Sequence, residues 1–468
     1  MLWTAQAAAR DTAIRDPIPT DPVPARLALV VREVATFPKS EPVPVPIDAR
    51  AMRHARINYL GEIPDGSGRL FVVDLNGTLY LLDHATPRPY LDVATRFAPD
   101  FWSGRGLGSG FGFVTFHPDF KRNGKFYTVH TEALAALTSK TPDLYAQPKA
   151  VVQSVVTEWT ATDPSASAFA GTSRELLRIA FAGYIHAIQQ IDFNPTAKRR
   201  DTDYGLLYIA VGDGGIGVTT DDPQTLAVPQ GKILRIDPLG TNRANGRYGI
   251  PPSNPFVGKP EALGEIYAYG MRDPHRFSWD VGGRHRMLLA HIGEHGIEAV
   301  YDVKAGDNFG WSRREGSFVF NRDDRCSLYS LPGDDAKNGY TYPVAAYDHN
   351  PAPDWSCARD VGRAISGGFV YRGRDVKLLR GKYVFGDLVD GRIFYSDESE
   401  MRRGGTLATI HELKILDDSG QLITSAQLTG DTRVDLRFGT DRRGEIYLLA
   451  KTNGRVWKVT GARPETRQ

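Results

Sequence analysis

The sequence predicts an all-β protein, a β-propeller behind an extended N-terminal arm, on two observations. The first is composition: 468 residues include 48 glycines, 30 prolines and 10% aromatics, a mixture that suits many short strands and tight turns better than helices. The second is a recurring phrase. Residues 68–83, 381–395 and 444–459 each read as strand, tight turn, strand, with turns at Asn76-Gly77, Asp390-Gly391 and Asn453-Gly454. Such dipeptides supply the two positive φ values of a type I′ hairpin. Residues 207–211 and 231–237 repeat the pattern around a long insert. A pair of β-sandwiches is the alternative, but it leaves the recurrence across the chain unexplained, whereas a propeller repeats one small sheet radially.

The elements divide as follows. Residues 1–45, with Asp16-Pro17-Ile18-Pro19 and the alternating prolines of 42–46, form an extended proline-rich arm. Residues 46–463 form the propeller and 464–468 a disordered tail. The ends of the arm leave two readings open: Ala5-Gln6-Ala7 has the small-x-small form that closes a signal peptide, or it belongs to an ordinary disordered terminus. No apolar run approaches the roughly 20 residues of a membrane span. A net charge of +2 from 57 basic and 55 acidic residues creates no field for nucleic acid. The short basic runs Lys198-Arg199-Arg200 and Arg402-Arg403 read as solvated loops. Only two cysteines occur, Cys326 and Cys357, which excludes thiolate-rich metal sites and haem attachment. Both lie in polar, turn-rich sequence, and a disulfide between them would place the protein in an oxidising compartment, periplasmic or secreted.

Three segments could carry chemistry. Gly212-Asp213-Gly214-Gly215-Ile216-Gly217 fits a dinucleotide fingerprint by letters, yet Pro223 and β-branched residues follow where a helix is required. A strand-ending turn that presents the Asp213 carboxylate is the better account. His186, 27 residues upstream, can meet Asp213 within one blade, the carboxylate then fixing the tautomer of a general base. A purely structural histidine is the competing account. His291, Glu294 and His295 match a zinc-protease pattern, but Gly293 and Gly296 interrupt the helix that this chemistry needs. His275, His291 and His295 could still gather at the central mouth and hold a metal.

At these residues the chain resembles the soluble quinoprotein glucose/sorbosone dehydrogenases. Residues 265–280, with Tyr269-Gly270-Met271-Arg272-Asp273-Pro274, are similar to one family phrase, and 291–298 with 306–311 are similar to two others. Phe116-His117-Pro118-Asp119, the Gly212 turn, residues 231–237 and residues 365–373 add to the likeness, which runs in order from about 56 to 460. The flavour is that of the branch including hedgehog-interacting-protein-like propellers. The resemblance implies six blades and a site on one face, where catalytic members bind pyrroloquinoline quinone and calcium and oxidise aldose sugars. Carried over residue by residue, it makes His186 the catalytic base, Asp213 its orienting carboxylate and Arg272 a catalytic cation beside the quinone. Asp273 joins Arg272 in cofactor binding, and Gly293 and Glu294 offer backbone carbonyls to the cofactor and its calcium, a hard ion that prefers oxygen.

The chain also departs from the family. Asp273 replaces an asparagine, Gly108 a glutamine and Val389 a lysine, while an expected arginine pair reads Thr432 and Val434. Strand alternation would put Arg433 on the opposite face. A tricarboxylate quinone needs cationic partners, and Arg272, Arg276 and Lys451 are candidate replacements with no sequence signal to place them. Three functions therefore stand together: a quinone- and calcium-dependent dehydrogenase of sugars or related alcohols that passes electrons to an external acceptor; a quinone-free, metal-assisted lyase or hydrolase on sugar-derived substrates; and a non-catalytic binding propeller.

Overall fold

The computed structural model, which describes residues 12–464 other than 15, 21, 47–48, 107 and 350–362, is built almost wholly of short strands. Among the described residues they group into six four-stranded units. Four are separate sheets, beginning with the strands Ile57–Glu62, Phe111–Phe116, Ile188–Phe193 and Asp273–Trp279. The other two, beginning with Ile365–Val370 and Leu436–Thr440, are joined edge to edge in one larger sheet. These six opening strands adjoin one another in chain order, and the last returns to the first, so they form the inner ring of a propeller. The three recurring phrases are the middle hairpins of their units, Leu70–Asp74 with Thr78–Asp83, Lys382–Asp387 with Ile393–Asp397, and Ile446–Ala450 with Arg455–Pro464.

The N-terminal segment departs from the expected arm. Val23–Thr36 is a strand, antiparallel to Arg455–Pro464 and parallel to His411–Leu416. It buries Ala25, Leu29, Val31 and Ala35. The outer edge of Arg455–Pro464 would otherwise present unpaired amides and carbonyls; the N-terminal strand completes that unit and closes the ring non-covalently. The propeller therefore starts near Val23 rather than at 46, and the proline-rich 42–46 stretch is only the link to the first unit. Of the expected 464–468 tail, Pro464 ends the last strand and the rest lies outside the described residues.

Apolar side chains from facing sheets fill the spaces between neighbouring units. Phe113, Tyr127 and Val156 from the second unit pack with Ile191, Ile209 and Leu234 from the third. A separate three-stranded excursion, spanning Arg314–Glu315, Phe318–Asn321 and Asp324–Tyr329, leaves the fourth unit before its outer strand. None of the described cysteines is free. Cys357, the far end of the expected bridge, lies outside the described residues. No helix among the described residues is long and apolar enough to cross a membrane.

One irregularity positions the site. Five of the six inner strands slip register against their neighbour at the same end, between Ile57/Tyr59, Phe111/Phe113, Ile188/Gln190, Pro274/Arg276 and Ile365/Gly367. A bulge adds one residue, bends the strand and re-aims its side chain. Four of the extra residues, Asn58, Gly112, Gln189 and His275, line a single central cavity.

Candidate active site

His186 and Asp213 meet because of antiparallel pairing. Ile188 opposes Val211, so the residue two before the inner strand and the residue two after its partner lie side by side. The His186 Nδ1 to Asp213 Oδ1 distance is 2.9 Å. Gly212 has no side chain for a reason: a Cβ there would fall 2.4 Å from the His186 carbonyl oxygen. His186 itself has φ of 54°, in the left-handed region that few non-glycine residues adopt.

Asp213 is buried and fully engaged. Oδ1 also accepts the Gly215 amide at 2.8 Å, and Oδ2 accepts the Gly217 amide at 3.2 Å and the Trp311 indole N–H at 2.9 Å. Burial acts to raise its pKa, but the hydrogen bond and charge of His186, then Arg272, hold it below the usual carboxylate value. An ionised carboxylate only accepts, so His186 Nδ1 donates and Nε2 is left as the basic nitrogen. Asp273 Oδ2 lies 3.8 Å from that Nε2. Its other oxygen is buried without a hydrogen-bond partner, and burial raises this carboxyl above its usual pKa.

Arg272 and Glu294 come together by the same device across the next unit, where Asp273 opposes Ile292 and Pro274 opposes His291. Arg272 donates through Nε at 2.7 Å and lies 2.6 Å through Nη2 from Glu294 Oε2. Arg325, from the three-stranded excursion, holds the other Glu294 oxygen at 2.5 Å. Although burial opposes it, Arg272 leads the charges that depress Glu294 to about 2. His291 Nε2 accepts the Arg272 backbone N–H at 2.8 Å, and burial with that cation nearby lowers the histidine to about 3. The expected histidine metal cluster is therefore not formed: His291 and Glu294 are committed to Arg272. Among the described residues no group of three or more His, Cys, Asp or Glu side chains is arranged for a metal ion.

Backbone oxygen is a different matter. Glu315 Oε1 accepts the amides of Glu294, Gly296 and Ile297, each at 2.9 Å. In a trans peptide the Gly293 carbonyl points opposite to the Glu294 N–H, and so away from Glu315. Gly293 and Glu294 both line the cavity, whose volume is about 700 Å³.

Among the described residues, ten arginine and lysine side chains line this cavity against three carboxylates. Arg276, Arg437 and Lys451 are buried in its floor. Arg276 donates to the Gln189 and His275 carbonyls, and Arg437 to Asn58 Oδ1 and the Leu436 carbonyl. Burial and their mutual repulsion lower Arg276 to about 9, and burial lowers Arg437 to about 10. Both nitrogens of His275 are buried without a partner, and burial and these cations keep its ring neutral. Gly108 and Val389 do line the cavity, so the family's polar groups are missing from the right places. Other cations line the cavity instead. Arg433 lines the cavity, contrary to the strand-alternation expectation, because the strand begins only at Leu436 and Asp435 has φ of 52°. Arg53, Arg56, Arg105 and Arg363 were not foreseen: they lie on loops or at strand ends, where no periodicity aims a side chain. Arg437 did carry a signal, a cation set inside the apolar phrase Leu436–Phe438.

A family model described as glucose/sorbosone dehydrogenase matches residues 59–456. The HIPL1 protein of Arabidopsis thaliana is 27% identical over 86% of the chain and 61% of its own length. The human Hedgehog-interacting protein is 27% identical over 84% of the chain and 49% of its own length. Aldose sugar dehydrogenase YliI of Escherichia coli is 26% identical over 55% of the chain and 57% of its own length. The chain thus spans about three-fifths or less of these relatives. The PQQ-bound aldose sugar dehydrogenase of Streptomyces coelicolor superposes with a TM-score of 0.58 at 20% identity, covering 95% of the chain and all of that protein, which supports the fold. With the family phrases converging on one cavity and the family model spanning nearly the whole propeller, this chain belongs to the glucose/sorbosone dehydrogenase family.

Proposed function

We propose that the protein oxidises aldose sugars or related alcohols as a pyrroloquinoline quinone- and calcium-dependent dehydrogenase, with His186 as general base. The observation that carries this reading is the His186–Asp213 pair, its basic Nε2 at the wall of a cavity where the described residues supply ten cations and three carboxylates. The donor set fits the cofactor: Arg276 and Arg437 have no carboxylate within ion-pair distance among the described residues, as a tricarboxylate ligand requires. A bound quinone supplies the two-electron acceptor. The chain's own groups do the rest. Nε2 of His186 takes the substrate hydroxyl proton while Asp213 supports the resulting imidazolium. Arg272, fixed by Glu294, offers positive charge to the oxygen as it becomes anionic. Calcium would rest on the Gly293 and Glu294 carbonyls. An external acceptor would reoxidise the cofactor, and a Cys326–Cys357 disulfide would suit a periplasmic or secreted enzyme.

Titration of calcium-loaded protein with the quinone, followed by dye-coupled aldose oxidation, tests this. The expected result is saturable binding with turnover that disappears in His186→Ala while binding persists. No binding at high quinone concentration overturns it. A binding propeller without turnover is the second reading, favoured by the similarity to Hedgehog-interacting protein; it predicts a folded protein inert to quinone and aldose alike. The metal-assisted lyase has less support, because His291 and Glu294 are engaged by Arg272.

A further inference from the structure

The central channel has a second chamber, of about 500 Å³, at the other end of the inner strands. Single strands contribute to both: Asn58 lines the upper cavity and Tyr59 the lower, Gln189 the upper and Asp192 the lower, Arg276 the upper and Phe277 the lower. The partition between them is a contact, the Arg276 guanidinium 5.2 Å above the Phe113 ring, which in turn packs at 4.3 Å against Tyr59. The two chambers have opposite character. Among the described residues, nine aromatic side chains line the lower one, together with three carboxylates and one arginine, the exposed Arg442.

Asp192 and Glu62 are the chamber's two carboxylates on inner strands, Glu62 at the very end of its strand and Asp192 one residue inside. The Thr115 hydroxyl and the Phe193 amide, at 2.8 Å each, both donate to Asp192 Oδ1, and the Gln190 side chain also bears on the carboxylate. The residue is only partly buried although the strands on either side cover it, so its remaining exposure is to the chamber. A carboxylate among aromatic walls has one natural complement. Ring faces attract a cation electrostatically, most strongly when it is desolvated, and a nearby carboxylate supplies the counter-charge. Arg276 over Phe113 already shows one of these rings in that role. The volume lies within the about 300–1,000 Å³ of small-molecule sites.

We propose that the lower chamber is a second ligand site, for a small organic cation of the alkylammonium class, held by Asp192 and the surrounding aromatic faces. This site is separate from the proposed dehydrogenase chemistry and does not depend on it. Choline and its neutral carbon isostere, 3,3-dimethylbutan-1-ol, distinguish the charge from the shape. Isothermal titration at constant ionic strength is expected to give one saturable choline site, with the alcohol at least tenfold weaker. Asp192→Asn, in which the amide oxygen still accepts from Thr115 and Phe193, should weaken choline at least tenfold and leave the alcohol unchanged. His186→Ala, in the upper cavity, should change neither. No saturable choline binding to the folded wild-type protein overturns the proposal. Equal binding of choline and the alcohol, unchanged choline binding in Asp192→Asn, or loss in His186→Ala overturns it equally, and each of these comparisons is independent of whether any quinone binds.

Discussion

Asp213→Asn isolates what the buried carboxylate does. Four donors converge on its two oxygens: His186 Nδ1 and the Gly215 amide on one, the Gly217 amide and the Trp311 indole on the other. An asparagine has one oxygen: with that oxygen toward His186 the Gly217 amide and the Trp311 indole face the NH₂ group, and with NH₂ toward His186 only the Gly215 amide is left, because the imidazole can turn acceptor. Each buried donor left unsatisfied costs about 1–3 kcal/mol, which puts the destabilisation at about 2–6 kcal/mol in the first orientation and about 1–3 kcal/mol in the second. The two orientations also differ chemically. With NH₂ toward His186, the ring must accept at Nδ1 and carry its proton on Nε2, which removes the base; with oxygen toward His186 the tautomer survives but the negative charge behind the imidazolium is gone. Either way turnover should fall on the order of 10²–10⁴-fold, the range of general-base contributions. Urea unfolding and dye-coupled turnover, measured on the same preparation alongside His186→Ala, separate the two effects. A variant with wild-type turnover and wild-type stability would refute the argument, because neither the tautomer nor the hydrogen-bond count would then matter.

Three further outcomes follow from the same geometry. Arg437→Met should raise the stability of the cofactor-free protein, since it removes a buried cation repelled by Arg276 and Lys451, and should weaken quinone binding at least tenfold; thermal melts with and without quinone read both signs. Acidification should destabilise the fold in two windows. His291 is depressed from 6.5 to about 3, so the unfolded chain binds the extra proton between those values and stability falls as pH drops through them; Glu294, depressed from 4.5 to about 2, adds a loss below about 4.5. His291→Gln, which keeps an acceptor for the Arg272 amide, should shrink the first window, to which buried His275 and the other depressed histidines also contribute, in urea titrations across pH while leaving the second. Asp192, raised to about 6 by burial, acts with the opposite sign and should be subtracted using Asp192→Asn. Gly212→Ala should abolish turnover and lower the melting temperature, because the new Cβ would press 2.4 Å from the His186 carbonyl.

The sequence by itself determined the repeating unit and the meeting of His186 with Asp213. Hairpin turns such as Asn76-Gly77 and Asn453-Gly454 are local, and the structure has strands paired around them, but the turns are not the expected type I′: only the glycine of each pair, Gly77 at 122° and Gly454 at 64°, has positive φ. His186 and Asp213 were legible because they flank two strands of one unit, and antiparallel pairing alone brings them together. What the sequence could not show were relations between units. Val23–Thr36 reads as an irregular arm because its partner strand begins at Arg455, and nothing local announces that pairing. The cavity's charge was hidden for the same reason. Arg56, Arg276, Arg437 and Lys451 come from three units and acquire a common purpose only when the ring closes. The alternation rule misplaced Arg433 because it describes residues within a strand, and the chain there has not yet entered one. Local geometry is set by neighbours in the chain; the sum of charges around a central channel is set by six strands meeting end-on, and only the tertiary structure decided it.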